Sequence, residues 1–325
     1  MRALVCGQPP TLVTDHPEPV RRPGEVTIAL RVAGVCDTDL ALARGYMAYK
    51  GVLGHEFVGT VLETDDTTTA VTWRGRRVVA DINAGCGVCA ECRERGSHHC
   101  GARTVLGIVG RDGALAERFT VPERCLVAVP DAVPDDKAVF AEPLAAALHV
   151  LSELPGPSGP AGGPVVVLGD GKLGQLIARA VVSSGRRTVM VGHHETKLVL
   201  ARRAGIETVL ERDVSADLNG VPAVVEATGS ASGIALALRL VRPRGTVILK
   251  TTIAGPTTVD LSPVVIHELS VVGSRCGDLA QAVDALARGL VDPTDLLAAR
   301  YPLTRADVAL EHAGRAGTLK VLVEG

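Results

Sequence analysis

The chain has 325 residues, of which 46% are hydrophobic and 22% are charged, and its formal net charge is −2 at pH 7. This composition excludes a disordered chain, and the length is sufficient for two domains with cores of their own. Lysine and arginine are spread without a basic stripe, so nucleic acid is not an expected partner. Because no signal-peptide region and no uninterrupted membrane-length apolar run is visible, we expect a soluble cytoplasmic protein without a membrane partner.

Short strand-like segments dominate the sequence up to about residue 140. The clearest are Glu25–Val32, Val58–Glu63 and Arg77–Ala80, each bounded by glycine, proline or aspartate. Runs of β-branched residues between turn formers are typical of antiparallel sheets. This part of the chain is therefore predicted to be β-rich.

The pattern changes after a segment rich in glycine and proline at residues 155–164. Apolar strands then alternate with segments of helical period, which predicts a parallel sheet covered by helices on both faces. We expect strands at Val165–Leu168, Thr188–Val191, Ala223–Glu226 and Thr246–Lys250, helices at Gln175–Ser184, Lys197–Ala204 and Ile234–Val241, and a turn at 242–245. The predicted fold class is α/β, with a β-rich domain and a doubly wound parallel sheet.

Four cysteines, Cys86, Cys89, Cys92 and Cys100, lie within the short loop 85–101. Four thiolates at this spacing can surround one Zn²⁺ tetrahedrally and leave no open position, which is typical of a structural site. The loop is otherwise glycine-rich and charged, so the metal would supply its stability. Two disulfides are the alternative, although the three-residue spacings and a reducing compartment both oppose them.

A glycine motif follows the first predicted strand of the α/β part, with Gly169, Gly171 and Gly174 at the turn into a helix. Such a turn brings the pyrophosphate of a dinucleotide to the helix N-terminus, where the N–H groups of Lys172 and Leu173 are available. A purely structural glycine turn is the alternative. The sequence predicts a dinucleotide-binding site here.

The end of the second predicted strand reads Gly192, His193, His194, where an NAD-specific site would carry an acidic residue for the ribose 2′-hydroxyl. Protonated imidazoles would attract a 2′-phosphate, with Lys197 or Arg202 as helpers, so NADP is favoured over NAD. Two alternatives remain open. Glu195 could accept from the ribose if the turn were longer, and the histidines could simply be solvated.

Three further segments, Gly34–Asp39, Gly54–Gly59 and Ala141–Leu144, complete a recognisable set. Together with the cysteine loop and the glycine motif, they resemble the zinc-dependent medium-chain dehydrogenase/reductase family, which includes alcohol and sorbitol dehydrogenases. The resemblance covers nearly the whole chain. It implies a GroES-like catalytic domain over residues 1–143 and 276–325 and a Rossmann domain over residues 144–275.

The resemblance also assigns a second, catalytic zinc. Cys36, His55 and Glu142 match its three ligands, and three ligands leave one position for water or substrate. Glu56 matches a carboxylate beside the metal that can ligate temporarily. Thr38 matches the hydroxyl that begins the proton relay, although a turn-capping threonine is the alternative. Thr228, Gly229 and Ser274 match segments that line the nicotinamide end of the cofactor site.

The expected function is that of a zinc-dependent oxidoreductase that transfers a hydride between NAD(P)(H) and a small alcohol or carbonyl substrate, with two zinc ions per chain. The resemblance implies a homodimer or homotetramer. Two alternatives remain open: a zinc-free reductase of activated C=C bonds from the same superfamily, and a non-catalytic sensor that binds zinc and nucleotide. Metal analysis and turnover on an alcohol panel distinguish the three.

Overall fold

The computed structural model describes residues 1–65, 72–156, 163–252 and 256–325 of the chain. These residues form two compact units. The first comprises Met1–Glu142, Ala282–Arg288 and Asp292–Gly325, and the second comprises Pro143–Gln281 and Gly289–Val291. The family resemblance implies boundaries after residues 143 and 275. Residues 157–162 of the predicted connecting segment lie outside the described residues.

The elements follow one another along the chain in three groups. The first group is β1 (Ala3–Val5), β2 (Thr11–Val13), β3 (Glu25–Gly34), α1 (Asp37–Ala43), β4 (Glu56–Glu63), β5 (Arg77–Ala80), β6 (Asn83–Ala84), α2 (Ala90–Glu94), β7 (Thr104–Leu106), β8 (Gly110–Arg111), β9 (Arg118–Pro122), β10 (Leu126–Ala128) and α3 (Asp135–Ala138). The second is α4 (Ala141–Glu153), β11 (Val165–Leu168), α5 (Lys172–Ser183), β12 (Thr188–Gly192), α6 (Glu195–Arg203), β13 (Glu207–Leu210), β14 (Val221–Glu226), α7 (Ala231–Leu240), β15 (Val241–Leu249), α8 (Ser262–Ile266), β16 (Ser270–Gly273) and α9 (Leu279–Ala287). The third is β17 (Leu297–Pro302), α10 (Ala306–Ala313) and β18 (Lys320–Glu324).

The first unit is built around a seven-stranded sheet in the order β10-β5-β4-β3-β18-β17, with β9 also paired to β3. Its core includes Val26, Ile28 and Val61, and Phe57 packs edge-on against Phe119 with 4.7 Å between ring centroids. The last strand, β18, pairs antiparallel with β3, which itself pairs with β4. The start of β18 is thereby brought to the same end of the sheet as the start of β4, where His55 and Glu56 lie.

The second unit contains a six-stranded parallel sheet in the order β13-β12-β11-β14-β15-β16. This is the doubly wound order in which the strand succession reverses between the first strand, β11, and the fourth, β14. Strand β11 is apolar and buried throughout, and β14 is apolar and largely buried up to its last residue, Glu226. Dinucleotides bind at the carboxyl ends of the strands at such a reversal.

The helices of the second unit begin earlier than their apolar periodicity predicted. Helix α5 begins at Lys172, α6 at Glu195 and α7 at Ala231, three, two and three residues before the predicted starts at Gln175, Lys197 and Ile234. For α7 the physical reason is a cap, because the hydroxyl of Ser230 accepts from the N–H of Gly233 at 3.0 Å. Polar first turns carry no periodic signal. Every helix in the described ranges is too short or too polar to span a bilayer.

One predicted turn is absorbed into a strand. Residues 242–245 belong to β15, which pairs with β14 on both sides of a register shift. Arg244 adopts a positive φ of 59° within this irregular stretch. The turn-forming residues therefore bulge the strand instead of ending it.

Candidate metal centres and cofactor-binding turn

Cys36, His55 and Glu56 each bring one ligand atom into a cluster whose atoms all lie within 4.8 Å of one another. Cys36 immediately precedes α1, and His55 and Glu56 stand where β4 begins. His55 is 3% exposed and Glu56 is 1% exposed, whereas Cys36 is partly exposed. One thiolate, one imidazole and one carboxylate form a donor set that suits Zn²⁺.

Asp39 connects the two halves of this cluster. Its carboxylate accepts hydrogen bonds from the N–H of Cys36 at 2.9 Å and the N–H of Gly54 at 3.1 Å. Its Oδ1 lies 3.2 Å from Nδ1 of His55, close enough for an ion pair although not aligned for a hydrogen bond. A carboxylate against one ring nitrogen fixes the imidazole and leaves the other nitrogen for a metal.

The electrostatics of the cluster favour a cation. Burial tends to lower the pKa of His55, but the Asp39 carboxylate and the Cys36 sulfur outweigh it and raise that pKa well above its usual value. Burial likewise tends to raise the pKa of Asp39, yet His55 and the backbone donors lower it. The surrounding groups therefore stabilise positive charge at this point, and the residues present fit a divalent metal.

Lys320 forms a buried ion pair with Glu56. Its Nζ donates to Oε2 of Glu56 in a very short contact, and each side chain is 1% exposed. The pair occupies space that Gly34 provides, because a Cβ at that position would collide with the Glu56 carboxylate. Sequence reasoning missed Lys320, since 264 residues separate it from its partner.

Glu142 stands in the first turn of α4 and is not a member of the 4.8 Å cluster. Its carboxyl group interacts electrostatically with His55, Glu56 and Lys320. Burial first, and then repulsion by Glu56, raise its pKa to about 7. The structure therefore places Glu142 within electrostatic range of the cluster. The carboxylate whose oxygen lies within 4.8 Å of the ligand atoms of Cys36 and His55 is that of Glu56.

Thr38 lies in the first turn of α1. Its Oγ1 is 3.8 Å from the Sγ of Cys36. The side chain is half-buried, between the cysteine and the partly exposed start of the helix. The hydroxyl that the resemblance assigned to proton transfer thus stands directly beside the sulfur of the cluster.

The four-cysteine loop forms a second cluster. Cys86, Cys89, Cys92 and Cys100 bring their sulfur atoms within 4.8 Å of one another, and all eight cysteines of the chain are free thiols. The Sγ atoms of Cys89 and Cys100 are 3.8 Å apart, far beyond the length of a disulfide. Backbone N–H groups at Val88 and Cys89 lower the pKa of Cys86 to about 6, which favours the thiolate that a metal needs. The structure therefore contradicts the alternative of two disulfides among these four cysteines.

The glycine turn joins β11 to α5. Gly169 has a φ of +112°, and a Cβ there would lie 2.6 Å from the carbonyl oxygen of Ala227. A Cβ at Gly174 would collide with the carbonyl oxygen of Gly169, so strand and helix pack closely. Gly171 differs, because no heavy atom of the described chain lies within 4 Å of its missing Cβ. This open space adjoins the first-turn N–H groups of Lys172, Leu173 and Gly174, a cradle that fits a pyrophosphate.

The two histidines after β12 are already paired. Nε2 of His193 lies 3.0 Å from a carboxylate oxygen of Glu211, and Nδ1 of His194 lies 3.0 Å from Oδ2 of Asp170. Sequence reasoning did not single out Asp170, the second residue of the glycine motif. The proposed helper Arg202 pairs with Glu195.

The residues expected at the nicotinamide end lie beyond β14 and β16. Thr228 donates its hydroxyl to the buried Glu226, and its backbone N–H donates to the same carboxylate oxygen at 2.6 Å. Gly229 follows with a φ of +68°. Ser274 is buried and accepts from Nζ of Lys250 at 3.1 Å. The side chains of Thr228 and Ser274 thus form hydrogen bonds within the protein. A ligand at these positions would meet mainly backbone groups.

Comparison with known proteins identifies two matching domain models. Residues 22–131 match the alcohol dehydrogenase GroES-like domain, and residues 173–292 match the zinc-binding dehydrogenase domain. An L-threonine 3-dehydrogenase of Rhizobium rhizogenes is 30% identical over 250 residues, which span 74% of this chain and 69% of the relative. The erythritol/L-threitol dehydrogenase of Mycolicibacterium smegmatis is 29% identical over 96% of this chain and 93% of its own length.

Solved structures agree with these matches over the full length. A protein of Sinorhizobium meliloti 1021, described as a zinc-binding dehydrogenase and solved with NADP, has a TM-score of 0.88 and 26% identity, covering 100% of this chain and 99% of its own. The alcohol dehydrogenase TADH of Thermus sp. ATN1 has a TM-score of 0.87 and 25% identity, with 100% and 99% coverage. The GroES-like and Rossmann folds predicted from the sequence are confirmed. The chain belongs to the zinc-dependent medium-chain dehydrogenase/reductase family.

Proposed function

We propose that the protein is a zinc-dependent alcohol dehydrogenase that transfers a hydride between a small hydroxylated substrate and the nicotinamide of NAD(P). The single observation that carries this proposal is the cluster of Cys36, His55 and Glu56, in a chain that also has an open glycine turn. The names of three relatives, which are dehydrogenases of erythritol/L-threitol, sorbitol and L-threonine, support a small substrate that carries a hydroxyl group.

We assign Cys36, His55 and Glu142 as ligands of the catalytic zinc, with Glu56 as the carboxylate that can take a place beside them. When bound, zinc would act as a Lewis acid that favours loss of the substrate's hydroxyl proton. Asp39 orients His55, and Lys320 holds the Glu56 carboxylate by its charge. Thr38 receives the substrate proton at Oγ1 and passes it outward, and in the carbonyl-reducing direction it returns the proton by the same route.

A second zinc is proposed in the loop of Cys86, Cys89, Cys92 and Cys100. Four sulfur donors leave no open position, so this ion would stabilise the loop without taking part in the reaction. The total is then two zinc ions per chain. We place the enzyme in the cytoplasm, a reducing compartment that keeps such thiols available.

We propose NADP as the preferred cofactor. Strand β12 ends at Gly192 and offers no carboxylate of its own to a ribose 2′-hydroxyl. The side chains of His193 and His194 are 63% and 49% exposed at this strand end. Glu195, the alternative ribose acceptor, is paired with Arg202.

We further propose a homodimer formed through the second unit. Strand β16 is an edge strand of the parallel sheet, and three of its four residues are exposed. Exposed apolar side chains of the preceding helix α8 lie nearby in sequence, with Val265 at 79% and Ile266 at 71% exposure. An unpaired edge next to apolar side chains is a surface that a second copy can cover.

The test combines metal analysis with turnover. The purified protein is expected to hold two zinc ions and to reduce NADP⁺ with some member of a panel of tetritols, hexitols and L-threonine. The variant Cys36→Ser should lose one zinc and all turnover while it still quenches cofactor fluorescence. Cys125→Ala, a buried cysteine outside both clusters, is the matched control and should keep both metals. Full turnover of Cys36→Ser would overturn the assignment.

A further inference from the structure

Asp170 occupies an unusual place for a carboxylate, between the first two glycines of the glycine turn. It is 6% exposed. Its Oδ2 accepts from the backbone N–H of His193 at 2.8 Å and from that of His194 at 2.7 Å. The same oxygen lies 3.0 Å from Nδ1 of His194, and Oδ1 lies 3.2 Å from that atom. One buried side chain thus fastens the whole turn that follows β12.

Gly192 shows that this arrangement is built into the backbone. A Cβ at Gly192 would lie 2.6 Å from Cβ of Asp170 and 2.7 Å from its Oδ2. The Asp170 side chain therefore fills the volume that a side chain at the end of β12 would need. A residue at that strand end is the one that usually meets the ribose 2′ position. The carboxylate near the end of β12 therefore belongs to the glycine turn and not to the strand itself. Its oxygens face the backbone N–H groups of His193 and His194.

The hydrogen bonds that the Asp170 carboxylate accepts come from the turn after β12. Beyond the bonds to His193 and His194, Nζ of Lys197 lies 3.7 Å from Oδ1. Burial tends to raise the pKa of Asp170, but the His194 hydrogen bonds and the Lys197 charge outweigh it and lower that pKa. A buried, ionised and fully engaged carboxylate is poorly placed to accept from a ribose hydroxyl. It is well placed to orient the imidazole beside it.

We propose that Asp170 is a positioning residue for the 2′-phosphate of NADP, acting through His194. It fixes the backbone turn and holds Nδ1 of His194, so that Nε2 is the ring nitrogen left for the phosphate, on a side chain 49% exposed. This inference rests on the proposed preference for NADP. The remaining charged groups around the turn are Lys197, the Glu195–Arg202 pair, and Glu211, which engages His193.

The inference predicts a specific pattern in binding. NADPH and NADH are titrated by fluorescence against the zinc-loaded full-length protein, without substrate, so that binding is read separately from turnover. Asp170→Asn retains an oxygen for the backbone N–H groups but removes the charge behind His194. We expect it to weaken NADPH binding about tenfold and NADH binding less than about twofold. His194→Gln should give the same pattern, and the double variant should be no weaker than His194→Gln alone.

The pH dependence supplies a readout that a merely structural role would not move. In the wild type, NADPH affinity should fall as the pH rises, because Nε2 can donate to the 2′-phosphate only while the ring carries both of its protons, whereas NADH affinity should stay flat. His194→Gln should abolish that slope. Glu207→Gln, on an exposed carboxylate at the start of β13 that pairs with Arg187, is the control and should keep it.

Three outcomes would overturn the inference. Equal or greater loss of NADH binding in Asp170→Asn would make Asp170 a direct ribose acceptor. Unchanged binding of both nucleotides in a folded Asp170→Asn would remove its role. An NADPH affinity that does not change with pH in the wild type would rule out a charged imidazole at the 2′-phosphate, even if Asp170→Asn failed to fold. Failure of the proposed function is distinct, because it would appear as absent turnover with either nucleotide despite normal binding.

Discussion

Glu56, a member of the Cys36–His55–Glu56 cluster, forms an ion pair with Lys320 that is buried away from water. Removing one partner of a buried ion pair leaves an uncompensated charge, which costs about 3–5 kcal/mol. We therefore expect Lys320→Met to lower the free energy of unfolding by roughly this amount, as measured by denaturant titration of the zinc-loaded protein. Lys320→Met combined with Glu56→Gln should recover part of the loss. An unchanged denaturation midpoint in the single variant would contradict the buried pairing.

Asp39 acts on the metal cluster through His55 and the Cys36 backbone. Asp39→Asn keeps the shape of the side chain but loses the charge that faces the imidazole, so metal affinity should fall about 10- to 100-fold. Competition with a chromophoric chelator measures this directly. Asp37→Asn, on an exposed neighbour, should change the affinity much less. Equal affinities for the wild type and Asp39→Asn would show that His55 does not depend on this carboxylate.

At the residue scale, the sequence was informative where chemistry is concentrated in short segments. The four clustered cysteines could be singled out because few structural roles need those residues at that spacing, whereas Cys36 and His55 were identified through the family resemblance. Lys320 and Asp170 could not, because their importance arises from partners brought together only by the fold. Glu142 falls between the two cases: it was identified by motif, and the structure brings it near the cluster without making it a member.

Among the elements, the β11–α5 turn separates two kinds of glycine. Gly171 has a φ of −71° that alanine adopts readily, whereas Gly174 faces the backbone of Gly169. Gly171→Ala should leave the thermal midpoint within about 1 °C and weaken cofactor binding at least tenfold, because its methyl group enters the space left for the pyrophosphate. Gly174→Ala should lower the midpoint itself. Thermal unfolding and fluorescence titration of the two variants test this, and unchanged cofactor affinity in Gly171→Ala would contradict it.

The helix inside the cysteine loop buries no side chain fully. Helix α2 spans only Ala90–Glu94, and its residues are all at least partly exposed. Cys89→Ser should therefore lose one zinc and lower the thermal midpoint by about 5 °C or more, while cofactor binding persists. Atomic absorption and thermal unfolding provide the measurements. A variant that kept both metals would show that this loop binds none.

Element types could be predicted from the sequence better than element limits. Strands Val165–Leu168 and Arg77–Ala80 have the predicted bounds because each consists mainly of buried apolar residues between turn formers. Helices α5, α6 and α7 begin two or three residues before their apolar segments, and for α7 the start is set by the Ser230 cap, which hydrophobic periodicity does not reveal. The bulge in β15 depends on its pairing with β14, which local sequence does not contain.

For the whole molecule, assembly is expected to depend on the apolar surface at α8. Ile266→Glu would bring a charge into the proposed contact between two copies, so the protein should shift from dimer to monomer in light scattering after size exclusion. Val20→Glu is the matched control, because Val20 is 85% exposed in the first unit and far in sequence from that surface. A wild-type protein that is already monomeric would overturn the proposed dimer.

The position of Lys320 in the last strand has a consequence for the order in which the protein matures. Cys36, His55 and Glu56 are synthesised early, yet their charge balance is complete only when β18 has taken its place beside β3. All four sulfur donors of the cysteine loop lie within residues 86–100. A growing chain on the ribosome therefore carries the complete set of four cysteines long before synthesis reaches Lys320, whereas the charge that balances Glu56 arrives only with the last strand.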